Sequence, residues 1–146
     1  MNDIRIADYD IVMRDEIRHL FADIYPDQPD SVDRMCYDPT IPNHVTTKVA
    51  YMGDVMVGQA NIFLHKALNG NANLGFHVHP LTRRQGIAAM LSREAIKNAR
   101  SKGITVLYIR THEDNFAAIA VARNLGFTRN DSRFPQKGLA VFVKQL

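Results

Sequence analysis

Phe76-His77-Val78-His79-Pro80-Leu81-Thr82-Arg83-Arg84-Gln85-Gly86-Ile87-Ala88 is the stretch on which the reading of this chain turns. It opens as a strand and stops at Pro80, which has no N–H to give to a ladder. Two arginines and a glycine then lead into a run of helical period. Ile87, Leu91, Ala95 and Ala99 fall every four residues, Arg93, Glu94, Lys97 and Asn98 occupy the other side, and Gly103 closes the helix. Residues 104–109 form a β-rich run beyond it, so the unit is strand, helix, strand. A helix starting at residues 86–88 presents unpaired N–H groups and the positive end of its dipole. Gly86 leaves the approach clear, Ala88 keeps it small, and Arg83 and Arg84 add two cations suited to phosphate oxygens. The sequence here predicts a seat for a diphosphate.

Working outward, residues 74–79 read as the strand feeding that loop, after a polar tip at 68–73. Upstream, the β-rich runs 45–52 and 55–65 flank Gly53-Asp54, a two-residue connection that favours positive φ, which predicts a hairpin. Ile4 and Ile6 suggest a short first strand, and Met13, Ile17, Leu20 and Ile24 the inner stripe of a first helix. Pro26, Pro29, Pro39 and Pro42 punctuate a loop over 26–44, with at most a short helix at 32–37. Downstream, Ala118, Ile119, Ala122 and Leu125 mark a helix from 115 to 126, and residues 139–143 supply a last strand after the loop 130–138. Internal repeats and low-complexity segments are not visible.

At 146 residues, 46% of them hydrophobic and 23% charged, the chain has the size of one compact domain, expected over 1–146. The first residues lack the pattern of a signal peptide and apolar runs are short, so a cytoplasmic protein without a membrane partner is expected. Cys36 is the only cysteine, which excludes an internal disulfide, and no ligand spacing suggests a metal. Cys36 reads as inert. The net charge of +3 and pI near 9.2 suit an anionic partner. The cations are scattered, and a phosphate-bearing small molecule explains Arg83 and Arg84 as well as nucleic acid does.

Val78-His79-Pro80 with Arg83, Gly86 and Ala88 resembles the cofactor signature of the Gcn5-related N-acetyltransferase (GNAT) family, and Asn115, Ala118 and Gly126-Phe127 resemble its second signature. The likeness spans roughly residues 74–128. It implies an α/β fold with a mixed, mostly antiparallel sheet of six to seven strands, about four flanking helices and splayed central strands. It implies acetyl-CoA as cosubstrate, without metal, held by Val78, Arg83, Arg84, Gln85, Gly86, Ile87, Ala88 and Asn115. A backbone N–H at or next to Val78 would face the developing oxyanion, and direct attack by a primary amine of a small molecule or peptide would complete the transfer. Asn115 would approach the pantetheine arm, and its position also suits a helix N-cap; the two roles coexist.

The chain departs from the family pattern at two places. Ala122 stands where many members carry a tyrosine acid, and Asn71-Ala72-Asn73 where many place a glutamate base. Candidate replacements are His77 and Tyr108 first, then His79, His112, Glu113, Tyr25 and Tyr37. Each also has a structural reading, as a strand histidine, a core tyrosine or a solvated turn residue. Those departures keep a second reading open, an acyl-CoA sensor without efficient transfer. A third, nucleic-acid binding through Arg83, Arg84, Arg93, Lys97 and Arg100, ranks behind both. The acceptor's identity is left to the first helix and the loops at 26–44 and 129–138. A homodimer is compatible with the sequence.

Overall fold

The structure, a computed structural model, describes residues 3–30, 32, 41–65 and 69–146. Its strands are β1 (Ile4–Asp8), β2 (His44–Met52), β3 (Val55–Leu64), β4 (Asn71–Val78), β5 (Val106–His112), β6 (Thr128–Arg129) and β7 (Leu139–Gln145). The helices are α1 (Arg14–Ile24), α2 (Ile87–Ser101) and α3 (Phe116–Asn124), with 3-10 turns at Ile11–Met13 and Pro80–Thr82. The short helix expected at 32–37, with Cys36 and Tyr37, lies outside the described residues apart from Val32. Among the described residues Pro29, Asp30 and Val32 are helical besides the three α-helices and two 3-10 turns given above, so the helix count roughly matches the four expected.

All seven strands join one sheet in the order β1-β2-β3-β4-β5-β7-β6. Gly53, at φ +62°, turns the hairpin between β2 and β3, and the register slips by a bulge between Ala50 and Tyr51. Every pairing is antiparallel except β4 with β5, the parallel pair that α2 connects. Two expected elements shift and one strand is new. The polar tip at 68–73 gives up its last three residues to β4: the His65 N–H donates to the Asn71 carbonyl at 2.9 Å, and Asn73 pairs with Phe63 and Tyr108. Backbone pairing there overrides side-chain polarity. The strand expected at 104–109 runs instead from Val106 to His112, held along its length by β7. The two residues of β6, unexpected from sequence, pair with Val143 and Phe142.

The sheet has a core on each face. On one, Leu91, Ala95 and Ala99 of α2 are fully buried with Ile62, Leu107 and Phe142, and Ala122, Leu125 and Phe127 close the same cluster from the α3 side. Gly58 allows this approach, since a Cβ there would stand 3.0 Å from the Leu91 side chain. On the other face Ile17, Leu20 and Phe21 of α1 pack on Val49, Tyr51 and Met56. These stripes follow the apolar spacing of the two helices.

β4 and β5 pair only where Asn71, Ala72 and Asn73 meet Val106, Leu107 and Tyr108, and part beyond that point. On its other edge β4 stays paired with β3 up to Val78. The His79 N–H donates to the Val57 carbonyl at 2.7 Å, and the Asn71 carbonyl accepts from His65, so odd-numbered residues of β4 turn their backbone groups toward β3. By the two-residue period, the backbone groups of Phe76 and Val78 face the opening between β4 and β5.

Candidate active site

Because β4 and β5 run parallel, the helices that follow them start at the same end of the sheet, α2 after β4 and α3 after β5. Their two N-termini flank the opening. The turn into α2 is braced from both sides. The Arg83 Nε donates to the Val78 carbonyl at 3.3 Å, and the Thr82 N–H and hydroxyl both donate to the His79 carbonyl. Arg84 lies at φ +67° and Gly86 at φ +74°, an uncommon pair of left-handed residues two positions apart.

Gly86 caps α2 with no side-chain hydrogen bond, and its carbonyl accepts the first helical bond, from Met90 at 3.0 Å. The N–H groups of Ile87, Ala88 and Ala89 therefore have no acceptor within the helix. A Cβ on Gly86 would meet nothing within 4 Å, so the space beside the start of the helix is open. Arg83, Arg84 and Gln85 are exposed beside it, Ala88 is half-buried, and Ile87 turns its side chain into the core, leaving its amide as the group it can offer. This cradle fits an anion of diphosphate size. Asn115 sits across the opening as the N-cap of α3, its Oδ1 accepting from the Ala118 N–H at 3.2 Å and its Nδ2 outside that bond.

His77 and Tyr108, the two first-ranked catalytic candidates, both face the α1 side. His77 lies against α1, its ring edge-on to Phe21 at 5.1 Å and to Tyr25 at 5.9 Å. Its Nδ1 stands 2.6 Å from the Nε2 of Gln59, a fully buried side chain whose Oε1 accepts from the Asn61 Nδ2 at 2.9 Å. With that oxygen engaged, Gln59 is the donor to Nδ1, and the proton of His77 is assigned to Nε2. Burial, and secondarily the charge of Arg83, push the His77 pKa down to about 4. His77 is thus a neutral imidazole with its lone pair occupied. Tyr108 is buried in register with Asn73 where the strands part, with Phe134 edge-on at 5.2 Å.

Of the other described candidates, Tyr25 packs on His77 and the rest fall outside this arrangement. His79 ties the cofactor turn to α1, its Nδ1 accepting from the Leu81 N–H and its Nε2 lying 3.1 Å from Asp23. His112 is exposed beside Asp114, and Glu113 reaches Arg129 at 3.4 Å. Ala122 is fully buried in the core, so protein already fills the surroundings of the position where a tyrosine was sought. Gln59, Asn61 and Phe134 escaped the sequence reading. A Gln and an Asn two apart in an otherwise apolar strand were the available signal. Asn73 keeps a buried side-chain oxygen without a hydrogen-bond partner among the described residues, next to Tyr108 in the ladder. Among the described residues, no group of three or more His, Cys, Asp or Glu could hold a metal, and no helix is long and apolar enough to cross a membrane.

A mixed sheet whose parallel pair opens over two helix N-termini is the frame of an acyl-CoA-dependent transferase. The model of the acetyltransferase (GNAT) family matches residues 12–127, and the chain belongs to that family. It is accordingly an acyltransferase enzyme. Solved structures share the fold at low identity. A GCN5-related N-acetyltransferase from Kribbella flavida is 22% identical, with 98% of each chain covered and a TM-score of 0.78. The protein yncA from Salmonella typhimurium, solved with its cofactor acetyl-CoA, is 21% identical over 99% of this chain and 95% of that one, with a TM-score of 0.79. The paia N-acetyltransferase from Thermoplasma acidophilum, in complex with coenzyme A, is 14% identical over 99% of this chain and 99% of that one, with a TM-score of 0.75. No curated protein matches the sequence significantly.

Proposed function

We propose that the chain, as a single domain over 1–146, moves an acetyl group from acetyl-CoA to a primary amine of a small molecule or peptide by direct attack. The observation that carries this reading is the parting of β4 from β5 beside the open N-terminus of α2. The amides of Gly86, Ile87 and Ala88, with Arg83, Arg84 and Gln85, would hold the pyrophosphate. The backbone of Val78 would meet the pantetheine amides, and Asn115 would reach that arm through its Nδ2. A thioester in the opening would have the Phe76 and Val78 amides beside its carbonyl, where donors aimed at developing negative charge lower the barrier most.

His77, neutral with Nδ1 engaged, acts here as a donor and wall rather than as the base. Tyr108 stands at the floor of the opening as the candidate hydroxyl for the departing thiol. The amine then arrives unprotonated through its own ionisation, or gives its proton to water. An amine panel read by thiol release from acetyl-CoA tests the reading: thiol appears only when the acceptor is present, and no acceptor-dependent release on any amine would overturn it. Gly86→Val, measured where it remains folded, is expected to raise the KM for acetyl-CoA by about tenfold or more, the worth of a charge-assisted contact. An unchanged KM would place the pyrophosphate elsewhere.

A further inference from the structure

On the α1-side face, the floor of the opening continues into a cleft of about 450 Å³, lined by Asn69, Asn71, Tyr108, Asn130, Ser132 and Arg133 among others. Tyr108 belongs both to the floor and to the cleft. Asn71 lies two residues below the point where the strands part and five below Phe76, about 7 Å and about 17 Å at strand rise. An amine placed at the opening therefore has room for its remaining atoms here. The cleft's described lining offers amides, hydroxyls and one guanidinium, and no carboxylate.

The loop that carries Arg133 is fixed in place. Phe134 packs on Tyr108 and His65, the Arg110 guanidinium lies 4.7 Å over its ring, and the Asn130 N–H donates to the Val141 carbonyl. The nearby acids are committed elsewhere. Asp131 accepts from Arg129 through both oxygens and from the Val141 N–H, and the hydrogen bonds from Arg129 hold its carboxyl below the usual range; Glu113 also meets Arg129. Arg133 has no ion pair among the described residues and is the cation the cleft presents. Polyamines would meet a cation where they need an anion; a carboxylate meets a planar donor that takes it through two bonds.

We propose that this cleft holds the non-reacting end of the acceptor and that Arg133 reads a carboxylate there, so that the substrate class is an amine that also carries a carboxylate. This rests on the acetyl transfer proposed above. The test uses acetyl-CoA with γ-aminobutyrate, ε-aminocaproate and free lysine, each beside its methyl ester, and with putrescine and cadaverine. Masking the carboxylate is expected to lower kcat/KM by about tenfold. Arg133→Gln is expected to remove that difference by raising the KM of the acids, with the KM for acetyl-CoA unchanged. Esters or diamines that match the acids, or an acid-to-ester ratio that survives Arg133→Gln, would overturn the assignment. Should no amine release thiol, the transfer reading fails by itself, and calorimetry of the same acids on the CoA-loaded chain decides the cleft separately. Binding that is lost on esterification and in Arg133→Gln upholds it; no binding of any acid overturns it.

Discussion

His77 sits between two aromatic edges and the amide of a fully buried glutamine, a setting that accepts a neutral ring and resists a charged one. Its pKa of about 4 when folded, against 6.5 when unfolded, has a definite sign. Between those values the unfolded chain binds the extra proton, so stability is full above pH 6.5 and is lost as pH falls toward 4. The loss attributable to this group is on the order of 3 to 4 kcal/mol, at about 1.4 kcal/mol per pKa unit. Urea unfolding at pH 7.5 and pH 5 measures it: the drop in stability should be smaller in His77→Gln than in the parent, and equal drops would deny His77 the role. The histidine was legible as a candidate, since its place beside Val78 follows from the strand. Its protonation was not, because Gln59 is eighteen residues away in sequence and meets it only across the β3–β4 ladder.

The elements that matter most are the two helix starts at the open end of the sheet. α2 begins without a side-chain cap, whereas α3 begins on Asn115, whose Oδ1 takes one of the four amides left over at a helix N-terminus. One residue thus has a cap oxygen in use and an amide nitrogen outside that bond. Asn115→Ala is expected to cost about 1 kcal/mol in chemical denaturation, the usual worth of such a cap. Asn115→Asp should keep the cap while losing the donor, so it should hold stability and raise the KM for acetyl-CoA. An unchanged KM in that variant would leave Asn115 a cap alone. The helices and the turn between β2 and β3 were readable because period and glycine position are local properties. The start of β4 at Asn71 and the existence of β6 were not, since both depend on partners far along the chain.

At the scale of the whole molecule, coenzyme A would touch β4, α2 and α3 together, so its binding should stabilise the fold as a unit. At a hundred times its Kd the gain is about 2.7 kcal/mol, or roughly 5 to 10 °C in Tm for a chain of this size. A thermal melt with and without millimolar CoA measures it, and an unmoved Tm would remove the cofactor from the site described. The order Val78, Pro80, Arg83, Gly86, Ala88 and then Asn115 carried by itself the resemblance to the family, and the strand–helix–strand unit and the turn that opens α2 were legible because each rests on a backbone requirement a few residues long. Tertiary structure alone decided that Gln59 occupies the lone pair of His77, that Ala122 is sealed in the core, and that Arg129 pairs with both Glu113 and Asp131. These are contacts between strands, helices and loops brought together by burying two apolar faces of one sheet, and residue spacing along a chain carries no record of which distant side chain will be the neighbour.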